Sequence, residues 1–505
     1  MGGDFSRDSF DPRQHFSRVL TQQGRVQLDA DANEQTAILL HYLRTLAADL
    51  VGPHAGPRQN CGFQISLAEQ EDKSPDLRIG SGHYYVDGLL CEHEVAQGPR
   101  RVEQVEPVLR PAKRRAGDER ALRLPSMPTI SYFEQPDLPL DRQQDRLSKE
   151  LTYLVYLDVW ERELTALEAP AIRDPALGSG GPDTAARAKV VWQVRTTSRI
   201  PPAFTRTGED AKIWESFNDD WADWVKDHHP PQRGLLEAKG RDDQPDETDV
   251  CIVDPGSRYR GAENQLYRVE IHSGGPAGVA TFKWSRDNGA IVFPLQSPPA
   301  QVITLGSLGR DAASNLEVGD WVELVDDAAA LRLHDTGRVP GPLYQIDAIE
   351  PLDQQITLAK APDGLVARDQ DLHPLLRRWD QQAGDTRRGY PNIGEDGALK
   401  LEENKWLTLE DGVQIRFLSA TGQDSHQYRS GDYWLIPARV ATGDVLWPQL
   451  PADPAAKEAQ GDARPAALPP HGVEHHYAPL ALVIDGNRVV DLRSHFKPLI
   501  ERSER

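Results

Sequence analysis

LTYLVYLDVWERELT, residues 151–165, is the stretch whose reading decides the fold. It is rich in Val, Leu, Tyr and Trp, side chains that pack well on a pleated surface. It is apolar on both faces from Leu151 to Val159, so it reads as a strand covered on both sides. AKVVWQVR (188–195) is a second strand of the same kind, and the Gly/Pro segment ALGSGGPDT connects the two. Upstream, HYYVDGLLCE alternates around Asp87-Gly88, which predicts a hairpin. Downstream come QLYRVEIHSGG and VATFKWSRDNGAIVF, the latter with Asn288-Gly289 between two alternating runs, predicting a second hairpin. Residues 316–360 repeat a short-strand rhythm, VGDWVELVDD, LYQIDAIEP and QQITLAKAP, that suits a small twisted barrel or sandwich. The last third adds VQIRFLS, GDYWLIPAR and the tight pair PLALVID–GN–RVVDLR, interrupted by an extended Pro/Ala-rich loop at 448–470.

Two helices stand out against this background. After DADANEQ, where Asp31 and Glu34 have capping-box spacing, Ile38/Leu39, Tyr42/Leu43, Leu46/Ala47 and Leu50/Val51 form a wide apolar stripe that Gly52-Pro53 ends. This predicts a helix over 32–51 whose stripe needs a partner surface, either this chain's own core or another subunit. Residues 213–229 predict the second, with Trp214, Phe217, Trp221 and Trp224 on one face. The expected fold class is therefore mainly β with a few helices (α+β): several small β-sandwich or barrel-like units plus an N-terminal helix. The expected segments are an arm and amphipathic helix (1–60), a β-rich domain (61–275), a small barrel or sandwich (276–365) and a C-terminal β-rich domain (366–505). The second segment holds a long surface insertion (96–146), which carries an arginine-rich run and then prolines, and the Trp-rich helix (213–229).

Composition narrows the function classes. The chain has 505 residues and a net charge of −21, which argues against a general nucleic-acid binder or a protein lying on anionic lipid. No apolar run is long enough for a membrane span. The polar start MGGDFSRDSFDPRQHF lacks an apolar signal segment, so synthesis and assembly in the cytoplasm are expected. Three cysteines, Cys61, Cys91 and Cys251, are too scattered for a disulfide framework or a Cys-rich zinc site.

Catalytic signatures are missing. No GxxxxGK[ST], strand-following GxGxxG, GxSxG or HExxH occurs. Asp29, Asp31 and Asn33 open like a calcium loop, but Glu34 stands where the loop needs Gly, and a helix start is the better reading. The nearest approach to a metal set is His471, Glu474 and His475, in HGVEHH. His475 and His476 leave opposite faces of a strand, so only His471 and one of them could converge, and backbone-bonded histidines at a strand entry fit better. Asp158 and Glu161 likewise leave opposite faces. Trp284, Trp321 and Trp434 could form a sugar-stacking face, but each lies inside an alternating strand where packing is commoner. The expectation is no enzyme, no catalytic residue, no cofactor and no metal.

Several whole phrases resemble a family found in gene clusters of phage-tail-like extracellular contractile injection systems. They are FDPRQHFSRVLTQQGRVQLDADANEQ, YYVDGLLCE, YLVYLDVWERELTALE, GGPDTAARAKVVWQVR, ENQLYRVEIHSGG, TFKWSRDNGAIV, GDYWLIPARVATGDVLWP and PPHGVEHHYAPLAL. The resemblance runs from about residue 4 to 490 and is poorest at 96–146 and 448–464. It implies a structural role on the baseplate or tail-fibre side, with other particle subunits (baseplate, spike or tail proteins) as partners and a possible homo-oligomer. The polar arm 1–30, punctuated by Phe5, Phe10, Phe16, Val19 and Leu20, could pack along a neighbour as readily as on its own domain. The alternative is a carbohydrate-binding or glycan-degrading tail protein, which two spaced carboxylates and exposed tryptophans would serve.

Overall fold

A computed structural model describes residues 3–69, 75–94, 128–143, 145–178, 182–200, 217–229, 233–240, 258–309, 311, 314–333, 335, 340–364, 366–386, 389–420, 425–450 and 464–497. The fold is mainly β, built from several small sheets, as the strand-rich sequence requires. It divides into two compact units, one of Met1–His41, Trp160–Lys189 and Val225–Glu474, the other of Tyr42–Val159, Val190–Trp224 and His475–Arg505. The four consecutive segments expected from the sequence (1–60, 61–275, 276–365 and 366–505) are therefore replaced by two interleaved units. The divisions fall inside regular elements, because strands Tyr153–Leu164 and Arg187–Thr197 and helices Asp29–Val51 and Phe217–His228 each run through one. Turn and proline signals mark where an element ends, and carry no information on which elements share a core.

In the second unit the decisive strand behaves as its composition demands. Tyr153–Leu164 lies between His476–Ile484 and Arg187–Thr197, with Arg488–Asp491 at the sheet edge. Val155, Leu157 and Val159 enter a core with Phe63, Ile79, Tyr84, Trp192 and Leu480. On the other face Tyr156 packs against Trp224, ring centroids 5.0 Å apart, and Trp224 stacks on Trp221 at 4.9 Å and 14°. Trp214 lies outside the described residues. The hairpin Gly82–Val86 and Leu89–His93 turns at Asp87 (φ 46°) and Gly88 (φ 79°), the left-handed pair that its turn type needs. PLALVID–GN–RVVDLR closes likewise at Asp485 and Gly486.

The arginine-rich run lies outside the described residues, but the far end of the surface excursion expected at 96–146 is packed into the fold. Thr129–Ser131 pairs with Pro75–Gly80, and Tyr132, Phe133 and Leu138 are buried. Proline spacing suggested a loop there; the aromatic pair outweighs it by entering the core.

The first unit holds two apolar cores. Tyr267, Val269 and Ile271 from Gln265–Ser273, with Phe282 and Trp284 from Thr281–Ser285, pack against Leu236, Ala238, Ile415 and Phe417 of a three-stranded sheet. The short-strand region forms a six-stranded sheet in the order Val292–Pro294, Leu375–Trp379, Trp321–Val325, Tyr344–Glu350, Gln355–Leu358, Val302–Thr304, around Phe293, Ile303, Val322, Ile346 and Ile356. Asn288-Gly289 does turn (φ 52° and 67°), yet the runs beside it do not form the expected hairpin. Thr281–Ser285 pairs with Gln265–Ser273, whereas Val292–Pro294 pairs with Leu375–Trp379 in the other sheet. The dipeptide satisfies the local dihedrals; the pairing partners are chosen by burial.

Candidate functional site

Among the described residues two features stand out as candidate sites. The first is the N-terminal helix, Asp29–Val51. It starts at Asp29, two residues before the predicted cap, because Ser6 holds the Asp29 carboxylate through its backbone N–H (2.8 Å) and its hydroxyl (2.7 Å). Glu34 is not a capping-box partner; its Oε2 accepts from Ser9 Oγ at 2.6 Å. The beginning of the arm is thus tied to its own unit, where Asn288 Nδ2 also donates to the Gly3 carbonyl at 2.9 Å and Arg439 Nη2 to that of Ser6 at 2.8 Å. Beyond it the arm opens out: Phe16, Leu20, Val26 and Leu28 are all exposed, with Val19 N–H bonded to Gln35 Oε1 at 2.8 Å. The helix buries Ala30 and Ile38, while Leu39 (53%), Leu43 (62%), Leu46 (56%) and Leu50 (61%) stay open to solvent. The predicted stripe exists, and its leucines are exposed among the described residues.

The second feature is a buried ionic lattice that the sequence disguises. In QLYRVEIHS the odd positions Tyr267, Val269 and Ile271 face the core, so the even positions Arg268, Glu270 and His272 read as a solvent face. All three are buried, at 7%, 4% and 2% exposure. Arg268 Nε donates to Glu270 Oε2 at 2.6 Å. Glu270 faces Lys283, its cross-strand neighbour, at 3.3 Å. Lys283 Nζ donates to both Glu323 oxygens at 2.8 and 2.7 Å and lies 4.3 Å above the Trp379 ring. Trp379 Nε1 completes Glu323 at 2.8 Å. The lattice therefore joins the five-stranded sheet, which carries Arg268, Glu270 and Lys283, to the six-stranded sheet, which carries Glu323 and Trp379.

Burial would raise the Glu270 carboxyl, but Arg268, Lys283 and Arg377 outweigh it and hold it at about 2. Glu323 is also held below the usual range, its burial outweighed chiefly by Lys283. His272 is pushed down to about 4, by burial first and Lys283 second, and stays neutral.

A second branch runs through Asp380. Its Oδ2 accepts from Arg286 N–H at 2.9 Å, and its Oδ1 lies 3.2 Å from Arg378 Nε. Arg286 Nη2 donates to Glu410 Oε2 at 2.9 Å, and the Tyr267 hydroxyl to Glu410 Oε1 at 3.1 Å. Here burial wins: the Glu410 carboxyl rises to about 7 and that of Asp287 to about 6, with Asp380 adding like charge in both. Two carboxyls that take up protons near neutrality are a pattern common at catalytic centres. Each of them, however, is held by arginine or tyrosine groups of this same chain.

The residues singled out from sequence go elsewhere. The His471 backbone N–H donates to the Tyr433 carbonyl at 2.8 Å, and its ring stacks on Tyr433. His475 Nδ1 lies 2.6 Å from Asp158 Oδ1, and His476 Nδ1 lies 2.9 Å from Asp87 Oδ2, so neighbouring histidines serve two different carboxylates. Glu474 is exposed. Among the described residues no group of three or more His, Cys, Asp or Glu is placed to hold a metal ion. Trp284 and Trp434 are fully buried in the core, and Trp321 is half-buried on its strand. Among the described residues no helix is long and apolar enough to cross a membrane.

With this geometry in hand, comparison with known families is informative. A profile described as a family of unknown function (DUF6519) matches residues 1–102, 134–201 and 232–500. The chain belongs to this family. Both features lie in matched segments: the arm and helix in the first, and the whole lattice in the last. The unmatched 103–133 falls inside the insertion expected to vary, whereas 202–231, with the Trp-rich helix, is a second unmatched stretch and 448–464 is matched. No curated protein and no solved structure matches the chain.

Proposed function

We propose that this chain is a structural subunit of a phage-tail-like contractile injection particle, on its baseplate or tail-fibre side, and that it acts by docking to other proteins without bond chemistry. The observation that supports this reading is the row Leu39, Leu43, Leu46 and Leu50, open on a helix whose opposite side is already packed. A soluble chain rarely leaves four leucines in line on one helix unless something covers them. The ionic lattice fits the same role, since its charges are matched within the chain and lock two sheets together. The partners in this reading are baseplate, spike and tail proteins, assembled in the bacterial cytoplasm, and its support is the set of phrases that resemble the injection-system family. The test is to tag the full-length chain in its native gene cluster and purify it under mild conditions. Co-purification with sheath, tube or baseplate proteins is the expected result; a chain that never accompanies such proteins, while they assemble normally beside it, would refute the reading.

A further inference from the structure

The open face of the N-terminal helix has a finer pattern than amphipathicity. Leu39, Leu43, Leu46 and Leu50 are spaced by four, three and four, which places them at alternating d and a positions of a heptad. Extending the same register backward gives Ala32 at d and Thr36 at a, both exposed. Leu40 and Ala47 then fall at e, beside the seam, with Leu40 at 39% exposure. The side chains that engage this chain lie at the remaining positions. Buried Ala30 and Ile38 and half-buried Glu34, Ala37 and Ala48 occupy b, c, f, b and f, Gln35 at g accepts from Val19 N–H, and the carbonyl of Arg44, at b, meets the turn at Gly88. The helix thus docks on its own protein with one side and presents a coiled-coil seam with the other.

We infer that the occupant of this seam is a second copy of this chain, helix against helix. This rests on the docking reading above and names the partner. Charge and area select it. From 32 to 50, the a, d, e and g positions carry a single charged side chain, Asp49. A seam with so little charge offers nothing to steer an oppositely charged partner, and it removes the repulsion that a chain of net charge −21 meets elsewhere on its surface. At roughly 100 Å² per open leucine, the five leucines supply about 500 Å² per copy. A pair would therefore bury about 1,000 Å² from these leucines alone, the least that a specific interface needs. Apolar side chains at e broaden the seam, which accommodates a third helix as well as a second.

The experiment uses the full-length purified chain at micromolar concentration, with sedimentation velocity as the readout. A dimer or trimer is expected for the native sequence. Leu43→Glu with Leu46→Glu is expected to weaken association by about 100-fold or more, each buried leucine lost contributing about one decade. Leu352→Glu, at 98% exposure in the turn between strands Tyr344–Glu350 and Gln355–Leu358, is expected to leave association unchanged. A second readout is independent of destabilisation: Leu46→Cys is expected to cross-link between copies with a short bis-maleimide, while the native chain and Leu352→Cys do not. A native chain that remains a monomer at 50-fold higher concentration overturns the inference, and so does an oligomer that survives the double glutamate variant. A chain that self-associates through this seam but never accompanies particle proteins when tagged in its native gene cluster would leave the inference standing and sink the injection-particle reading; a monomer that still accompanies particle proteins does the reverse.

Discussion

Replacing Lys283 by methionine keeps the length and most of the volume of the side chain but removes the cation that Glu270 and Glu323 share. In the native protein Lys283 is 2% exposed and lies 3.3 Å from Glu270 and 2.7 Å from Glu323. Without it, Glu270 keeps Arg268 at 2.6 Å, while Glu323 keeps only the Trp379 N–H as a close partner among the bonds described. Breaking a buried ion pair from one side costs about 3–5 kcal/mol, because the remaining charge stays buried and uncompensated. At about 2–4 °C per kcal/mol for a unit of a few hundred residues, Lys283→Met should melt on the order of 10 °C lower by calorimetry.

Adding Glu323→Gln removes the orphaned charge and keeps an oxygen for Trp379. The double variant should therefore recover about 2 kcal/mol relative to the single one. The pH dependence supplies a second check. Glu270 and Glu323 are held below their ordinary 4.5, so the stability they contribute is present above that value and is lost as pH falls toward 2. Removing Lys283 raises both folded-state values, so the gap between native protein and variant should narrow as pH falls from 7 to about 4. A single variant melting within about 2 °C of the native protein, or a double variant no more stable than the single, would refute the idea that the lattice bears on stability.

Other outcomes follow from the same geometry. Glu410 and Asp287 titrate above their ordinary values, so their contribution is full below about pH 4 and is lost as pH rises through 6 and 7. Glu410→Gln should flatten the fall in urea-unfolding stability between pH 5 and 8 and leave the protein more stable than native at pH 8; an unchanged slope would exclude this assignment. Gly88→Ala should cost roughly 2–4 kcal/mol, since the new methyl would lie 2.2 Å from the Arg44 carbonyl oxygen at a φ of +79°. Gly24→Ala, with φ +70° but open space around it, should cost only about 1 kcal/mol. Equal losses for the two by chemical denaturation would show that the helix does not press on the hairpin turn.

The chain's pattern determined much of the secondary structure. Strand 151–165, the turn at Asp87-Gly88, the hairpin around Gly486-Asn487 (which turns one residue earlier, at Asp485-Gly486), and the apolar helix before Gly52-Pro53 were legible, because side-chain periodicity and left-handed dihedrals act over a few residues. The same local rules misplace what depends on distant partners. Asn288-Gly289 bends the backbone as it must, yet the strands beside it join different sheets, since nothing in a turn specifies which neighbours bury a strand. Arg268, Glu270 and His272 alternate like a wet face, and only the approach of Glu323 and Trp379 from the other sheet turns that face into an interior. The helix shows the converse. Its heptad is written in the sequence, but whether the stripe meets this chain's core or stays open was settled in space, where Ile38 and Ala30 occupy the docking side and the leucines are left over. Periodicity states which residues share a face; burial is a property of what arrives to cover it, and that is decided by residues tens or hundreds of positions away.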